Sequence, residues 1–233
     1  MKIGVVIPAC NEEDHLAQCL GALQRAVSVL SNEHEIEVVV VLDSCDDGSL
    51  EIIRKAQEEL KLKIHYLECQ YRCVGLTRDL GVRYCIEQGI DWISCTDADS
   101  EVTEQWLVQQ MACQPMDLIC GVVEVAHWQG IAEDVQQKYH AHYQDRMGHS
   151  HIHGANLSFN AETYICSGGF AALCSHEDVD LVTKVQALGR RILWTNQVRV
   201  LTSSRLNAKA PQGFSHFLRA LNTESAALQD LES

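Results

Sequence analysis

The amino-acid sequence predicts a three-layer α/β sandwich with a mostly parallel central sheet, folded as a single domain. Aliphatic runs of strand length alternate with helix-period segments through the first 125 residues. The clearest run, Ile36–Leu42, is apolar almost throughout, which suits a strand covered on both faces. No Pro/Gly/Ser-rich linker, internal repeat or low-complexity tract divides the 233 residues. Such alternation implies right-handed crossovers, with helices on both sides of the sheet.

Lys2–Ile7 reads as the first strand, followed by Asn11 as a helix N-cap with Glu12, Glu13 and Asp14 in the first turn. Leu16, Leu20, Leu23, Val27 and Leu30 then form one apolar helix stripe. Ile36–Leu42 is the second strand. Gly48–Leu60 is the second helix, with Ile52, Ile53, Ala56 and Leu60 apolar. Lys63–Leu67, Val74–Gln88 and Asp91–Cys95 continue as strand, helix and strand, Glu104–Cys113 as a helix and Asp117–Val125 as extended chain. Beyond Glu124 the rhythm breaks down. Helices are predicted there at Ala132–Arg146, Asp178–Leu188 and Gly213–Leu231, and strands at Leu157–Asn160 and Arg191–Leu201.

Hydrophobic residues make up 46% and charged residues 21%, an ordinary globular composition rather than a disordered one. The net charge of −14 argues against a nucleic-acid partner. The longest purely aliphatic stretch, Val38–Leu42, is too short to span a bilayer, and the N-terminus lacks a signal-peptide pattern. Eleven cysteines without a CxxC pair read as reduced, small apolar residues of a cytoplasmic protein. The charge is unevenly placed. Leu181–Thr223 has no Asp or Glu and carries +7, leaving −21 elsewhere. That stretch is either a solvated basic face or an anion site around Arg205 and Lys209.

In open parallel sheets, ligands bind beyond the carboxyl ends of the strands. Three polar clusters fall at such ends: Pro8-Ala9-Cys10-Asn11-Glu12, Asp43-Ser44-Cys45-Asp46-Asp47-Gly48 and Thr96-Asp97-Ala98-Asp99. Singly, each could be capping or turn chemistry; their common placement is the stronger observation. Asp occurs 14 times, so an Asp-x-Asp pair arises by chance, and Asp178-Val179-Asp180 is a second one. Context favours the first. Asp97 and Asp99 share a side of an extended segment, and a hard cation such as Mg²⁺ or Mn²⁺ is held by one or two carboxylates plus phosphate oxygens. No GxGxxG follows the first strand, and GxxxxGK[ST] and G-x-S-x-G are absent, so dinucleotide, P-loop and nucleophile-elbow readings lack their machinery.

These residues resemble family 2 glycosyltransferases. The resemblance is carried by Val5–Glu13, by Val39–Gly48, by Gly75-Leu76-Thr77-Arg78-Asp79-Leu80-Gly81 and by Thr96–Asp99. It continues in Gly154–Phe159 with Gly168-Gly169-Phe170 and in His176–Leu181, collinear from residue 3 to about 205. It implies a GT-A fold, with a nucleotide-binding half at about 1–124 and an acceptor-binding half at about 125–233. It also implies inverting transfer from a nucleotide sugar, a UDP- or GDP-sugar, to an unidentified acceptor hydroxyl. By that resemblance Pro8, Ala9, Glu12 and Asp43 line the nucleoside pocket, Asp43 accepting from the base, and Arg78 approaches the nucleotide. Asp97 meets the ribose or the metal, and Asp99 ligates a Mn²⁺ or Mg²⁺ ion on the diphosphate. Asp178 is the general base, with Glu177 beside it.

Two alternatives stay open at this level. Glu177 and Asp178 also suit first-turn acids favoured by a helix dipole. A non-catalytic nucleotide-sugar-binding protein and a nucleotidyltransferase on a related scaffold are the competing functions. The chain departs from the family pattern at Thr202-Ser203-Ser204-Arg205, where relatives often place a metal-binding histidine; Arg205 could contact the diphosphate instead. His149, His151 and His153 alternate, so a strand there would put them on one face, an arrangement that can bind Zn²⁺. Because they precede Gly154-Ala155-Asn156, the better expectation is that His153 and those three residues serve the acceptor.

Overall fold

Alternate residues of β1 (Lys2–Ala9) face opposite sides of one sheet and pack into two separate cores. Ile3, Val5 and Ile7 join one core and Val6 the other; in β2 (Glu35–Asp43), Val38, Val40 and Leu42 join the first and Val39 and Val41 the second. All nine of these side chains except Leu42 are completely buried, and Leu42 nearly so. Each contributes about 1.5–3 kcal/mol of hydrophobic stabilisation. The computed structural model describes residues 1–125, 128, 133, 136, 137 and 143–202.

The remaining strands are β3 (Lys63–Cys69), β4 (Trp92–Cys95), β5 (Ser100–Val102), β6 (Leu118–Val125), β7 (Leu157–Asn160) and β8 (Ile192–Thr202). They form one sheet in the order β3-β2-β1-β4-β7-β6-β8-β5. β3-β2, β2-β1, β1-β4 and β6-β8 are parallel, whereas β7 runs antiparallel to both β4 and β6, and β5 antiparallel to β8. Side chains of α1 (Leu16–Ser28), α2 (Ser49–Glu59) and α4 (Trp106–Ala112) enter the first core. Those of α3 (Val74–Glu87), α5 (Ala161–Ser167) and α6 (Glu177–Ala187) enter the second. The predicted three-layer arrangement is therefore formed.

Several boundaries move. α1 starts at Leu16, because Asn11 has φ 54° and the Glu12 carbonyl turns back to accept from the amides of His15 and Leu16. Asn11 is therefore not the N-cap. β5 and α5 escape the sequence pattern, β5 because three residues show no period. α5 did carry a signal: the Asn160 side chain accepts from the Thr163 amide, and Gly168 takes φ 83° just past the helix. Residues 143–146 are not helical, so the helix expected over 132–146 does not reach its expected end; much of that stretch lies outside the described residues, as does the helix expected at 213–231.

The insertion of β7 decides where the chemistry gathers. Its antiparallel register pairs Leu157 with Cys95. Gly154–Asn156, a single 3-10 turn before β7, thus lies beside residues 96–98, just past the carboxyl end of β4. Asn156 is buried there. Its amide nitrogen donates to the Val122 and Val198 carbonyls at 2.8 and 2.9 Å, and its oxygen accepts from the Trp106 indole at 2.9 Å. It clamps the register shift between Cys120 and Val122 on β6, where a Cβ on Gly121 would come within 2.3 Å of the Asn156 nitrogen. Asn156→Ala leaves three buried polar groups unpaired, and we expect a loss of about 3 kcal/mol or more. Denaturant unfolding checks this, and a loss below about 1 kcal/mol would remove the clamp role.

Candidate active site

The two glycines of the Gly75–Gly81 segment let its arginine in. A Cβ on Gly75 would sit 2.2 Å from the Ala171 carbonyl oxygen, and one on Gly81 2.6 Å from a Val6 methyl. α3 therefore lies tight against both the sheet and the chain at 171–173, and Arg78, one turn in, is carried below the surface at 3% exposure. Its Nε donates to Glu177 Oε1 at 3.0 Å, Nη1 to the Gly154 carbonyl at 2.8 Å, and Nη2 to Asp97 Oδ1 at 2.6 Å. The Gly154 amide donates in turn to Asp178 Oδ2 at 2.6 Å. One guanidinium thus ties the end of β4, the turn before β7 and the first turn of α6.

Charge explains why this buried assembly is tolerated. Burial opposes the Arg78 cation, but Asp97 and Glu177 outweigh it and the pKa rises. Burial pushes the Glu177 carboxyl up; Arg78 pulls it back only in part. Asp178 is half-buried at the N-terminus of α6, where Glu177 and Asp180 also lie in the first turn. Its Oδ1 accepts from the Val179 amide.

The other two clusters are largely stitched to each other. Asp46 and Asn11 bond reciprocally, Glu13 N donates to Asp47 Oδ2, Gly48 N to Glu13 Oε2, and Glu12 N to Ser49 Oγ. This seam holds the loop after β1 against the loop after β2, with Ala9 buried, Pro8 half-buried and Glu12 buried beside it. Asp43 ends β2 with both oxygens engaged. Oδ1 accepts from the amides of Tyr71 and Arg72 and from Ser44 Oγ; Oδ2 accepts from Cys73 N and Thr77 Oγ1. Burial pushes its pKa up, yet these donors prevail and hold it below the usual carboxylate range. Asp43 as found here fixes the 71–73 turn; a nucleobase donor would have to displace one of its partners.

Asp97 and Asp99 are half-buried just past the end of β4, Asp97 Oδ1 taken by Arg78 and Asp99 Oδ1 accepting from Ser100 Oγ at 3.3 Å. The local potential is negative. After burial, the Asp99 and Asp97 carboxylates are the largest causes raising the Cys19 thiol pKa, and the Cys19 thiol donates to the Asp97 carbonyl. Two half-buried carboxylates of hard oxygen donors fit a small divalent cation whose other ligands come from a phosphate. Among the described residues no group of three or more His, Cys, Asp or Glu could hold a metal by itself. The alternating histidines accordingly form no zinc site there; they stack.

His149, His151 and His153 stand in a column, ring centroids 5.4 and 5.9 Å apart, with Tyr143 flat on His151 at 4.1 Å. His149 faces the Thr195 carbonyl, so its Nε2 carries the proton, and its Nδ1 accepts from the His151 amide. His151 Nε2 accepts from the Gln144 amide. Both are thereby neutral. Burial is the main cause that drives the His153 pKa from 6.5 down to about 3, and any proton taken up by His151 or His149 repels a second one on His153. A histidine depressed in the fold binds protons first in the unfolded chain, so stability falls as pH drops below 6.5. The His153 share of this loss is about 2 kcal/mol by pH 5. We expect His153→Gln to flatten the stability profile between pH 6.5 and 5 by that amount; an unchanged slope in urea melts would dismiss the effect.

Arg205 and the histidines at 140 and 142 lie outside the described residues. No helix among the described residues is long and apolar enough to cross a membrane. Sequence reasoning missed Gly154 as the shared partner of Arg78 and Asp178; no pattern could have shown it, since it acts through its backbone.

With this geometry in view, the comparison with known families is decisive. The model of the family described as glycosyl transferase family 2 matches residues 4–174. The chain belongs to glycosyltransferase family 2. The poly(ribitol-phosphate) β-N-acetylglucosaminyltransferase TarS of Staphylococcus aureus is 28% identical over 107 residues, 46% of this chain and 18% of TarS. The structure of TarS 1–349 in complex with UDP-GlcNAc superposes with a TM-score of 0.70 at 18% identity, covering 92% of this chain and 62% of that one. The mannosyltransferase PcManGT of Pyrobaculum calidifontis, in complex with GDP-Man and Mn²⁺, superposes with a TM-score of 0.66 at 18% identity, covering 99% and 64%. The fold of this family 2 chain is thus GT-A. It spans less than two thirds of the length of each of these relatives.

Proposed function

We propose that this chain transfers a sugar from a nucleoside-diphosphate sugar to an acceptor hydroxyl, inverting the anomeric carbon, with Asp178 as the general base. One observation carries the reading. Arg78 and Gly154 connect Asp97, at the end of β4, with Asp178, so the acid pair and the candidate base share one sheet edge although far apart in the chain. TarS and PcManGT, in their complexes with UDP-GlcNAc and GDP-Man, support a UDP- or GDP-sugar donor.

In this scheme the loops after β1 and β2, with Pro8, Ala9, Glu12 and the Asp43-held turn, border the nucleoside. Asp99 and Asp97 would hold a Mn²⁺ or Mg²⁺ ion, which supplies positive charge opposite the departing diphosphate. Asp178 takes the proton from the acceptor hydroxyl as its oxygen attacks the anomeric carbon. The bond from that carbon to the phosphate oxygen breaks, and the nucleoside diphosphate leaves with the electron pair. A single displacement inverts configuration. His153, Gly154, Ala155 and Asn156 sit on the acceptor side as backbone and scaffold, with Asn156 committed to its clamp. Arg205 is a candidate diphosphate contact.

The test is thermal unfolding against UDP, GDP, TDP and CDP, each with and without Mn²⁺. A nucleotide at about 100 times its Kd adds about 2.7 kcal/mol, a shift of several degrees at this size. We expect one nucleotide to act, only with metal, and to lose its effect in Asp99→Ala. No shift with any of the four would overturn the donor assignment.

A further inference from the structure

The tight approach of α3 to the chain at 171–173 places two cysteines side by side. The Gly75 amide donates to the Leu173 carbonyl at 3.0 Å, so the start of α3 and this segment run in backbone contact. Cys73, immediately before α3, is buried; Cys174, immediately after Leu173, is exposed. The Cys174 sulfur lies 3.8 Å from the Arg72 carbonyl oxygen, which belongs to the peptide unit leading into Cys73.

From this juxtaposition we propose that Cys73 and Cys174 form a reversible disulfide modification site, oxidised by a small-molecule disulfide such as oxidised glutathione. The division of exposure supplies the order of steps. The Cys174 thiolate attacks one sulfur of oxidised glutathione and expels a glutathione thiolate. Cys73, shielded from the oxidant but beside Cys174, loses its proton and attacks the Cys174 sulfur, expelling the second glutathione. The two protein thiols together lose two electrons and two protons, and one glutathione disulfide becomes two thiols.

The surrounding geometry gives the crosslink a consequence. Cys73 N is held by Asp43, and Cys174 lies three residues before Glu177. A bond between the sulfurs therefore joins the turn bordering the proposed nucleoside pocket to the segment carrying Glu177 and Asp178. It closes a loop of about a hundred residues, long enough for a substantial rise in stability. A hydrogen bond with the Cys73 thiol and the charge of Cys73 raise the Cys174 pKa, so the first step quickens as pH rises above neutral. The site does not depend on the identity of the donor sugar.

The experiment exposes the full chain at pH 8 to increasing ratios of oxidised to reduced glutathione, then alkylates it and maps peptides without reduction. The expected result is one crosslink between Cys73 and Cys174, with a melting midpoint raised by several degrees and restored by dithiothreitol. Cys174→Ser abolishes both, and Cys73→Ser halts the reaction at a glutathione adduct on Cys174. A stable glutathione adduct on Cys174 of the unaltered chain, or a crosslink confined to Cys10 and Cys45, overturns the proposal. Cys174 is exposed, so its serine variant keeps the test sound even if Cys73→Ser folds poorly.

Discussion

Arg78→Met is expected to destabilise the fold by about 3–5 kcal/mol, the range for breaking a buried ion pair by removing one partner. The methionine fills most of the volume, but Glu177 and the Gly154 carbonyl lose their donors in a site from which water is excluded. The loss carries a pH signature. Glu177 is already raised by burial, and without the guanidinium it rises further. A carboxyl raised in the fold contributes stability that is full below its unfolded pKa and lost as pH rises through the folded one. The destabilisation relative to the unaltered chain therefore shrinks from pH 7 toward pH 5, opposite in direction to the histidine effect. Arg78→Met with Glu177→Gln recovers part of the loss, because a neutral amide needs no counter-charge. Urea titrations of both variants at pH 5 and 7 measure this. Equal destabilisation at both pH values, without recovery in the double variant, would show that Arg78 acts by volume alone.

Asp178→Asn is expected to lower the rate of sugar transfer by about a hundredfold to ten-thousandfold, the usual contribution of a positioned general base. The substitution is conservative where structure is concerned. An amide oxygen can still accept from the Gly154 amide, so the turn before β7 and the nucleotide shift should persist. What disappears is basicity. Transfer and nucleotide-dependent stabilisation must be measured on the same preparation. A variant retaining more than about a tenth of the rate would return Asp178 to a helix-dipole role. Loss of nucleotide binding together with transfer would make it a structural partner of Gly154 rather than a base.

Local pattern carried the sequence reading well where each element answers to its own residues. The aliphatic runs of β1 and β2 cannot be satisfied except by burial on both faces, and the stripe from Leu16 to Leu23 has one apolar side. Layering and helix order in the first half follow from that. The family was also legible, since its model matches residues 4–174, the stretch that holds Gly75, Arg78, Gly81 and the Asp97–Asp99 pair.

Partnership was not legible, because it depends on distance in space. Arg78 looked like a ligand-facing cation; it is buried and donates to Asp97, Gly154 and Glu177. Asp46 and Asp47 belonged to a cluster that suited either turn chemistry or a ligand, and they bond the loop after β1. Asn156 looked like an acceptor contact and proved to be a clamp across a strand irregularity. By itself the sequence determined which aliphatic residues of the first half had to leave water and the strands and helices they formed there. Tertiary structure alone decided what each polar group met, because only the antiparallel insertion of β7 sets Gly154 and α6 beside the end of β4.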